Sequence, residues 1–475
     1  MKNYLIAWRN LWRNRRRTAI TVASVFFAVF FALVMRAWQL GTYDHMFRNV
    51  IESYTGYIQI QHPEFWDNKT VDNAFPYTEE LDSLVKQTRN SRGAVPRLES
   101  FALASSGNIT KGVLVMGIDP ERESLLSDVK SRLVRYRLDA NALERLMKSD
   151  LPEKIKKNLT FFSDNAYSSN SALAVDFGIS DKDSAFVNGI FRKEAGFRNG
   201  YIKSGEPGAL IGDKLSKFLN ASVGDTVVLI GQGYHGATAA GKYRISGIVK
   251  IPAPEIDNKI VYLPVDICQQ LYDAPGMLTS LAVGVVRNDE GSVDETVNTL
   301  RATLPGQLRV MDWKEMNKLL INQMDADSKS GMIMIVILYL VIAFGIFGTV
   351  LMMTAERRRE FGVLVAIGMQ KAKLASVITL EIIYMGFLGI VSGTAFSLPV
   401  IFIGHYNPIR FHGEMAKMYE DYGMEAVMPF MLPDMYMVWQ SVVVSVILLI
   451  ALIYPLRKIA KMQVVNSLKA YTSGQ

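Results

Sequence analysis

The sequence predicts a membrane α-helical protein with four transmembrane helices and an α+β extracytoplasmic domain. That domain is expected to combine a membrane-proximal α/β subdomain with an inserted β-rich subdomain. Three observations lead there. Residues 18–40, 331–355, 374–403 and 437–456 are apolar runs of the length a bilayer core requires, about 20 residues. Basic clusters at 9–17, 357–373 and 457–469 flank these runs and mark the cytoplasmic face by the positive-inside rule. The polar stretch 41–330, framed by the first two runs, is therefore expected outside the cytoplasm.

Composition agrees. The 475 residues are 49% hydrophobic and carry a net charge of +7. Much of the positive excess sits beside candidate spans, so it reads as topology and anionic-lipid contact rather than nucleic-acid binding. Cys268 is the only cysteine, which rules out an intrachain disulfide and a thiolate metal cluster.

In chain order, residues 1–17 open with an amphipathic helix. Tyr4, Leu5, Trp8, Leu11 and Trp12 share one face, suited to the cytoplasmic membrane surface. Residues 18–40 are the first span, read as an uncleaved anchor. Residues 41–120 and 278–311 supply the membrane-proximal subdomain. Alternation marks a strand at 57–62, and Thr78 caps a helix over 78–89 with Leu81, Leu84 and Val85 on its apolar face. Further strands are expected at 94–105, 112–118, 280–286 and 308–311, with a helix at 293–304. The insert, 121–277, begins with charged helical sequence to 157. A Ser/Asn/Gly-rich stretch, 163–199, reads as irregular, and a β-rich segment follows at 226–230, 243–250 and 259–263.

Residues 312–330 are expected to form one amphipathic stalk helix, with Trp313, Met316, Leu319, Leu320 and Met324 on a stripe, running into the second span. The third span carries Glu381. An ionisable group there is expected to face protein or water, with an ion pair to a nearby arginine ahead of a substrate contact. Gly386, Gly389 and Gly393 permit close helix approach and point weakly to a dimer seam. Residues 404–436 form an external loop whose histidines and acids match no metal-ligand spacing. The fourth span, 437–456, and a cytoplasmic tail, 457–475, end the chain.

Between the second and third spans lies the stretch Glu356-Arg357-Arg358-Arg359-Glu360-Phe361-Gly362-Val363-Leu364-Val365-Ala366-Ile367-Gly368. Consecutive arginines do not lie in hydrocarbon, at roughly 2.5–3.5 kcal/mol each at mid-depth, so the stretch belongs at the membrane face. Phe361, Leu364, Val365 and Ile367 fall at helical spacing, and Gly368 is a stop signal. A short helix with one apolar face suits a groove on a soluble partner. The bland reading, a basic loop obeying the positive-inside rule, holds at the same time.

This stretch resembles the coupling-helix signature of the MacB/FtsX/lipoprotein-release superfamily of ABC transporter permeases, E-R-x-R-E-[IF]-G-x-L-x-A-[IL]-G. The segment 53–63, the segments 223–233 and 243–249, and the tail from Pro455 resemble the family in the right order, although Val464 stands where the tail pattern has a proline. The resemblance implies that Glu356, Arg357, Arg358, Arg359, Glu360, Phe361, Gly362, Leu364 and Gly368 contact a cytoplasmic ATPase. It implies a pair of ATPase subunits carrying ATP and Mg²⁺, and a second permease chain, identical or related. A periplasmic carrier and a lipoprotein substrate follow from the Lol-type members. Inner-membrane location with both termini cytoplasmic is expected. Phe26, Phe30, Val34, Met332 and Ile335 are assigned, from helix position alone, to an acyl-chain cavity.

The chain itself is expected to bind no cofactor or metal and to have no catalytic residues. The one near-match to a phosphate loop, Gly236 to Lys242, lacks the following Ser/Thr and reads as a hairpin turn. Lipoprotein release leads the functional readings. FtsX-type regulation of a cell-wall hydrolase and MacB-like efflux of a peptide or toxin stay open beside it.

Overall fold

The computed structural model describes residues 3–13, 15–304, 306–411, 413–421 and 424–461; the side chains of Arg17, Asp181, Met353, Arg358, Arg359, Lys417, Glu420 and Asp421 fall outside the description. Most of the expected tail, from 462 on, also lies outside the described residues. The chain divides into two units. One is helical, Met1–Asp44, Asn322–Ile409 and Met428–Gln475; the other is α/β, His45–Ile321 and Arg410–Val427.

Among the described residues, four helices are long and apolar enough to cross a membrane, within Thr18–Thr55, Lys318–Glu356, Lys371–Tyr406 and Met435–Ala460. In the helical unit they pack through Val25, Val29 and Leu33 of the first, Tyr339, Ile346 and Val350 of the second, Leu374, Ile378 and Ile382 of the third, and Val444, Leu448 and Leu452 of the fourth. The glycine stripe of the third helix is used inside the chain. A Cβ on Gly389 would lie 2.5 Å from Val25, and one on Gly393 2.9 Å from the Phe26 carbonyl oxygen. A Cβ on Gly386 would meet Leu448 at 2.5 Å. These glycines admit the chain's own first and fourth helices, which corrects their reading as a dimer seam.

The α/β unit is built on nine strands: β1 Ile58–Gln61, β2 Ser91–Ser106, β3 Ile109–Ile118, β4 Gly208–Gly212, β5 Thr226–Gln232, β6 Thr238–Val249, β7 Ile260–Pro264, β8 Ser280–Val285 and β9 Arg309–Asp312. They hydrogen-bond in the order β9-β1-β8-β2-β3-β7-β4-β6-β5, and β5 pairs again with β2. Strands β2, β3, β7, β4, β6 and β5 thus close on themselves as a barrel. The 16 residues of β2 serve both parts. Its first half pairs with β8, Val95 opposite Ala282, and its second half with β5, Leu103 opposite Ile230. Two cores result. Ile58, Ile60, Leu281, Val283 and Val297 fill the open-sheet side, and Ala102, Val113, Ile211, Leu229, Ile245 and Val261 fill the barrel. Strands from both expected subdomains therefore belong to one sheet, with β3 paired to β7 across the expected boundary at 120/121.

Local sequence explains most elements. Thr78 accepts from the Leu81 amide and starts the helix Glu79–Gln87. The hairpin β5–β6 turns at 233–237, so only Gly236 and Ala237 of the near-match to a phosphate loop lie in the turn; 238–242 are strand, which corrects their reading as a turn. Residues 163–199 depart from expectation: they contain the helices Asn170–Phe177 and Asp181–Glu194. Ser169 caps the first at the Ala172 amide, and Gly178 ends it at φ 59°, a left-handed position that glycine occupies without steric cost. The Ser and Gly residues that suggest a loop are thus partly helix boundaries. Leu173, Phe177, Val187 and Phe191 join Leu138, Leu146 and Leu159 in a separate small helical core.

The expected stalk helix over 312–330 is also corrected. A short helix, Trp313–Met316, stops at Asn317, whose side chain donates to the Trp313 carbonyl at 2.8 Å; the long helix begins at Lys318. An asparagine that bonds nearby backbone competes with helix continuation.

Asp213 ties the helical insert to the barrel. It is fully buried, accepts from Arg137 at 2.5 Å, and stands 3.0 Å from Lys217 and 3.7 Å from Lys250. Burial pushes its carboxyl up, but Lys250, Lys217 and Arg137 together hold it below the ordinary value of 3.8. A depressed carboxylate stabilises the fold above its unfolded pKa, and the contribution fades as pH falls through the folded value. Asp213→Asn is therefore expected to lower Tm at neutral pH. Its gap from wild type should narrow below about pH 4, a trend that thermal unfolding across a pH series checks.

Candidate functional site: the interhelical lever

The turn between the second and third apolar helices has defined stops. The second helix ends at Glu356, Arg357 leaves helical geometry at φ −86°, ψ 2°, and a separate helix runs Arg358–Ala366. Gly368 follows at φ +104°, where a side chain would be strained, and the third helix starts at Lys371.

Arg357 organises the site. Its side chain is 7% exposed, and its Nη1 donates to Glu381 Oε2 at 2.6 Å. Its Nε reaches Glu360 Oε2 at 3.2 Å, and its guanidinium lies 5.3 Å from the Phe361 ring centroid. The second Glu381 oxygen accepts from Asn10 Nδ2 at 2.6 Å. Arg13 reaches Glu360 at 3.2 Å on the surface. Asn10 and Arg13 belong to the amphipathic helix Asn3–Arg13, and Trp8 of that helix meets Tyr384 edge-on at 5.8 Å. One buried carboxylate on the third apolar helix thus holds both the N-terminal helix and the start of the interhelical turn. Buried charges persist when paired and hydrogen-bonded in this way.

These contacts revise the expected surface. Arg357, Phe361 and Gly362 are buried within the helical unit and Leu364 is half-buried against its core. The segment's exposed residues include Glu356, Glu360, Val363, Ala366, Ile367 and Gly368; Val363 is 39% and Ile367 78% exposed. The expected apolar face therefore splits: Phe361 and Leu364 turn inward, while Ile367, which follows the helix, turns outward. Sequence reading missed Val363 as an outward residue and Asn10 as a Glu381 partner. Exposure of Val363 is on the face opposite Phe361, a distinction periodicity makes only once the inward face is known. The side chains of Arg358 and Arg359 lie outside the description.

The five residues assigned to an acyl-chain cavity are not presented as one group. Phe26 stacks with Phe30 and meets Phe396 of the third apolar helix, Ile335 is buried in the helix core, and Met332 is 57% exposed. Val34 packs half-buried against that core. Among the described residues no group of three or more His, Cys, Asp or Glu is placed to hold a metal ion.

Residues 332–464 match the family described as FtsX-like permease C-terminal. A 201-residue segment is 23% identical to the lipoprotein-releasing system transmembrane protein LolC of Xylella fastidiosa, covering 40% of this chain and 47% of that one. LolC of Neisseria meningitidis is 20% identical over 195 residues, 40% of this chain and 46% of the relative. The match spans about half the length of these curated relatives. Among solved structures, the periplasmic region of MacB from Actinobacillus actinomycetemcomitans aligns with TM-score 0.30 and 11% identity, covering 58% of this chain and 96% of that one. The extracellular domain of the transporter YknZ from Gram-positive bacteria gives 0.28 and 14%, over 54% and 100%. Residues 332–464 thus carry an FtsX-like permease C-terminal region, in a chain with four described helices long and apolar enough to cross a membrane. Over the matched segments the chain is similar to the LolC-type transmembrane proteins.

Proposed function

We propose that the chain is the permease subunit of an ABC transporter that extracts lipoproteins from the inner membrane, driven by separate cytoplasmic ATPase subunits. A pair of permease chains and a pair of ATPases would work together, with ATP and Mg²⁺ on the ATPases and a periplasmic carrier receiving the cargo. The observation that carries this reading is the division of the interhelical segment. Its inner face is anchored by the Arg357–Glu381 pair, while Val363 and Ile367 stay exposed beside it. A helix held from behind and apolar in front transmits displacement without loosening. The small apolar residues would enter a groove on the ATPase, and Glu360, exposed on its side chain, would sit at the edge.

Val363→Asp combined with Ile367→Asp tests the reading. Both positions are surface sites, so folding is expected to survive within about 0.5 kcal/mol. ATPase copurification and ATP-dependent release of a triacylated lipoprotein to a soluble carrier should fall at least about tenfold, since a lost apolar anchor costs about 1.5–3 kcal/mol. A variant that keeps the ATPase bound and releases cargo normally would refute the assignment. Retained coupling with no lipoprotein in the wild-type complex, but a stoichiometric cell-wall hydrolase, would refute lipoprotein release alone.

A further inference from the structure

A wide cleft opens in the α/β unit beside the helical insert, away from the interhelical segment in sequence. Its volume is about 1260 Å³, and one wall is the helix Asp181–Glu194. Lys130, Arg135, Arg192, Lys193 and Arg198 line it, opposed in the lining by Asp128. Lys193 stands 3.6 Å from Glu194, which also receives Arg145. Lys130, Arg135, Arg192 and Arg198 make no ion pair among the described residues, and all four are exposed. Lys130 does lie over the Tyr201 ring at 5.9 Å, but like charges gathered without an opposite charge repel one another, and an anion entering between them relieves that repulsion.

Gly189 also lines the cleft. It sits inside the helix wall, where glycine costs roughly 1 kcal/mol relative to alanine, yet a Cβ there would meet nothing within 4 Å. Packing does not require this glycine. Its effect is to leave bare backbone facing the cleft.

We propose that this cleft binds an acidic segment of a partner polypeptide. Size favours a chain over a small anion: the space exceeds the roughly 300–1,000 Å³ of small-molecule sites. It also adjoins a second cavity of about 450 Å³ that shares Asp128 and Lys130. The arginines supply planar donors matched to carboxylates. A polysaccharide fits less well, because the lining aromatics are engaged. Tyr136 is buried and donates to Asn170 at 2.7 Å, and Phe197 is half-buried under the Arg137 guanidinium. The proposal goes beyond the transport reading and does not depend on it.

The full chain in detergent, titrated into a fluorescein-labelled oligoglutamate peptide and followed by anisotropy, tests it. Binding is expected to weaken with salt and to exceed that of a Gly/Ser peptide. Arg135→Glu with Arg192→Glu should reduce affinity about tenfold or more. Lys157→Glu, an exposed charge on the same insert but outside the lining, should change it by less than about twofold. Gly189→Trp should weaken binding although it alters no charge, because the indole occupies part of the cleft wall. Binding that Gly189→Trp leaves unchanged, or that Lys157→Glu weakens as much as the paired arginine change, would reduce the effect to net charge and overturn the proposal. Heparin binding with no response to oligoglutamate would overturn it in favour of a polysaccharide.

Discussion

Arg357→Ala is expected to destabilise the helical unit by roughly 3–5 kcal/mol, because it leaves Glu381 buried without its cation. Glu381 is 2% exposed, and its remaining partner is the neutral amide of Asn10. Glu381→Ala should cost a similar amount by stranding Arg357, which keeps only the half-exposed Glu360. The double change Arg357→Met with Glu381→Leu should recover most of the loss, since an apolar pair of similar volume carries no desolvation cost. Thermal unfolding in detergent reads all three. The functional readout should separate from stability: the double variant is expected to fold yet couple ATP hydrolysis to release poorly. The reason is that the N-terminal helix and the interhelical turn no longer share one carboxylate. Wild-type coupling in the stable double variant would assign the pair to folding alone.

Glu123→Ala carries the second large effect, again roughly 3–5 kcal/mol, this time in the α/β unit. Arg97 and Glu123 are both fully buried and joined by two hydrogen bonds, the Nε one at 3.3 Å. Arg97 also donates to the Tyr54 carbonyl, and Ser127 donates to Glu123. Beside them, Glu99 accepts from the Tyr54 hydroxyl at 2.7 Å. The cluster joins the π-helical turn Ile51–Thr55 to strand β2 and to the short turn Arg122–Leu125. Removing the carboxylate leaves a guanidinium in the interior with the charge of Glu99 as compensation. Glu123→Gln should cost less, since it keeps the acceptor oxygen. Hydrogen exchange offers a local check, with the largest loss of protection expected in β2 and β8. A fall in stability below about 1 kcal/mol for Glu123→Ala would mean that water reaches Arg97 and that the pair is not insulated.

Both predictions concern groups whose types are visible in the sequence and whose pairing is not. Glu381 stands out because an acid in an apolar run is costly, and that cost makes a buried partner expected. Its distance in sequence from Asn10 leaves no periodic signal connecting them. Read from the sequence, Arg97 and Glu123 look like ordinary charges of a strand and of a charged helical segment. The closure of the barrel is equally silent, because Leu103 and Ile230 meet through a pairing that no turn specifies. Turn-defined pairings fare better, as the hairpin β5–β6 shows. The 163–199 stretch misleads because Ser, Asn and Gly serve both as loop residues and as helix boundaries. Burial of Leu173, Phe177 and Phe191 decides between those uses.

The sequence by itself determined the apolar helices, the short arginine-led helix between two of them and the position of its glycine stop. These depend on local hydrophobicity, charge and backbone freedom, which act over a few residues. Only the tertiary structure decided that Arg357 and Phe361 turn inward while Val363 and Ile367 remain outside, and that lysines and arginines distant in sequence line one cleft. Such outcomes depend on which surfaces meet, and a buried charge or apolar ring goes wherever the folded chain offers its partner.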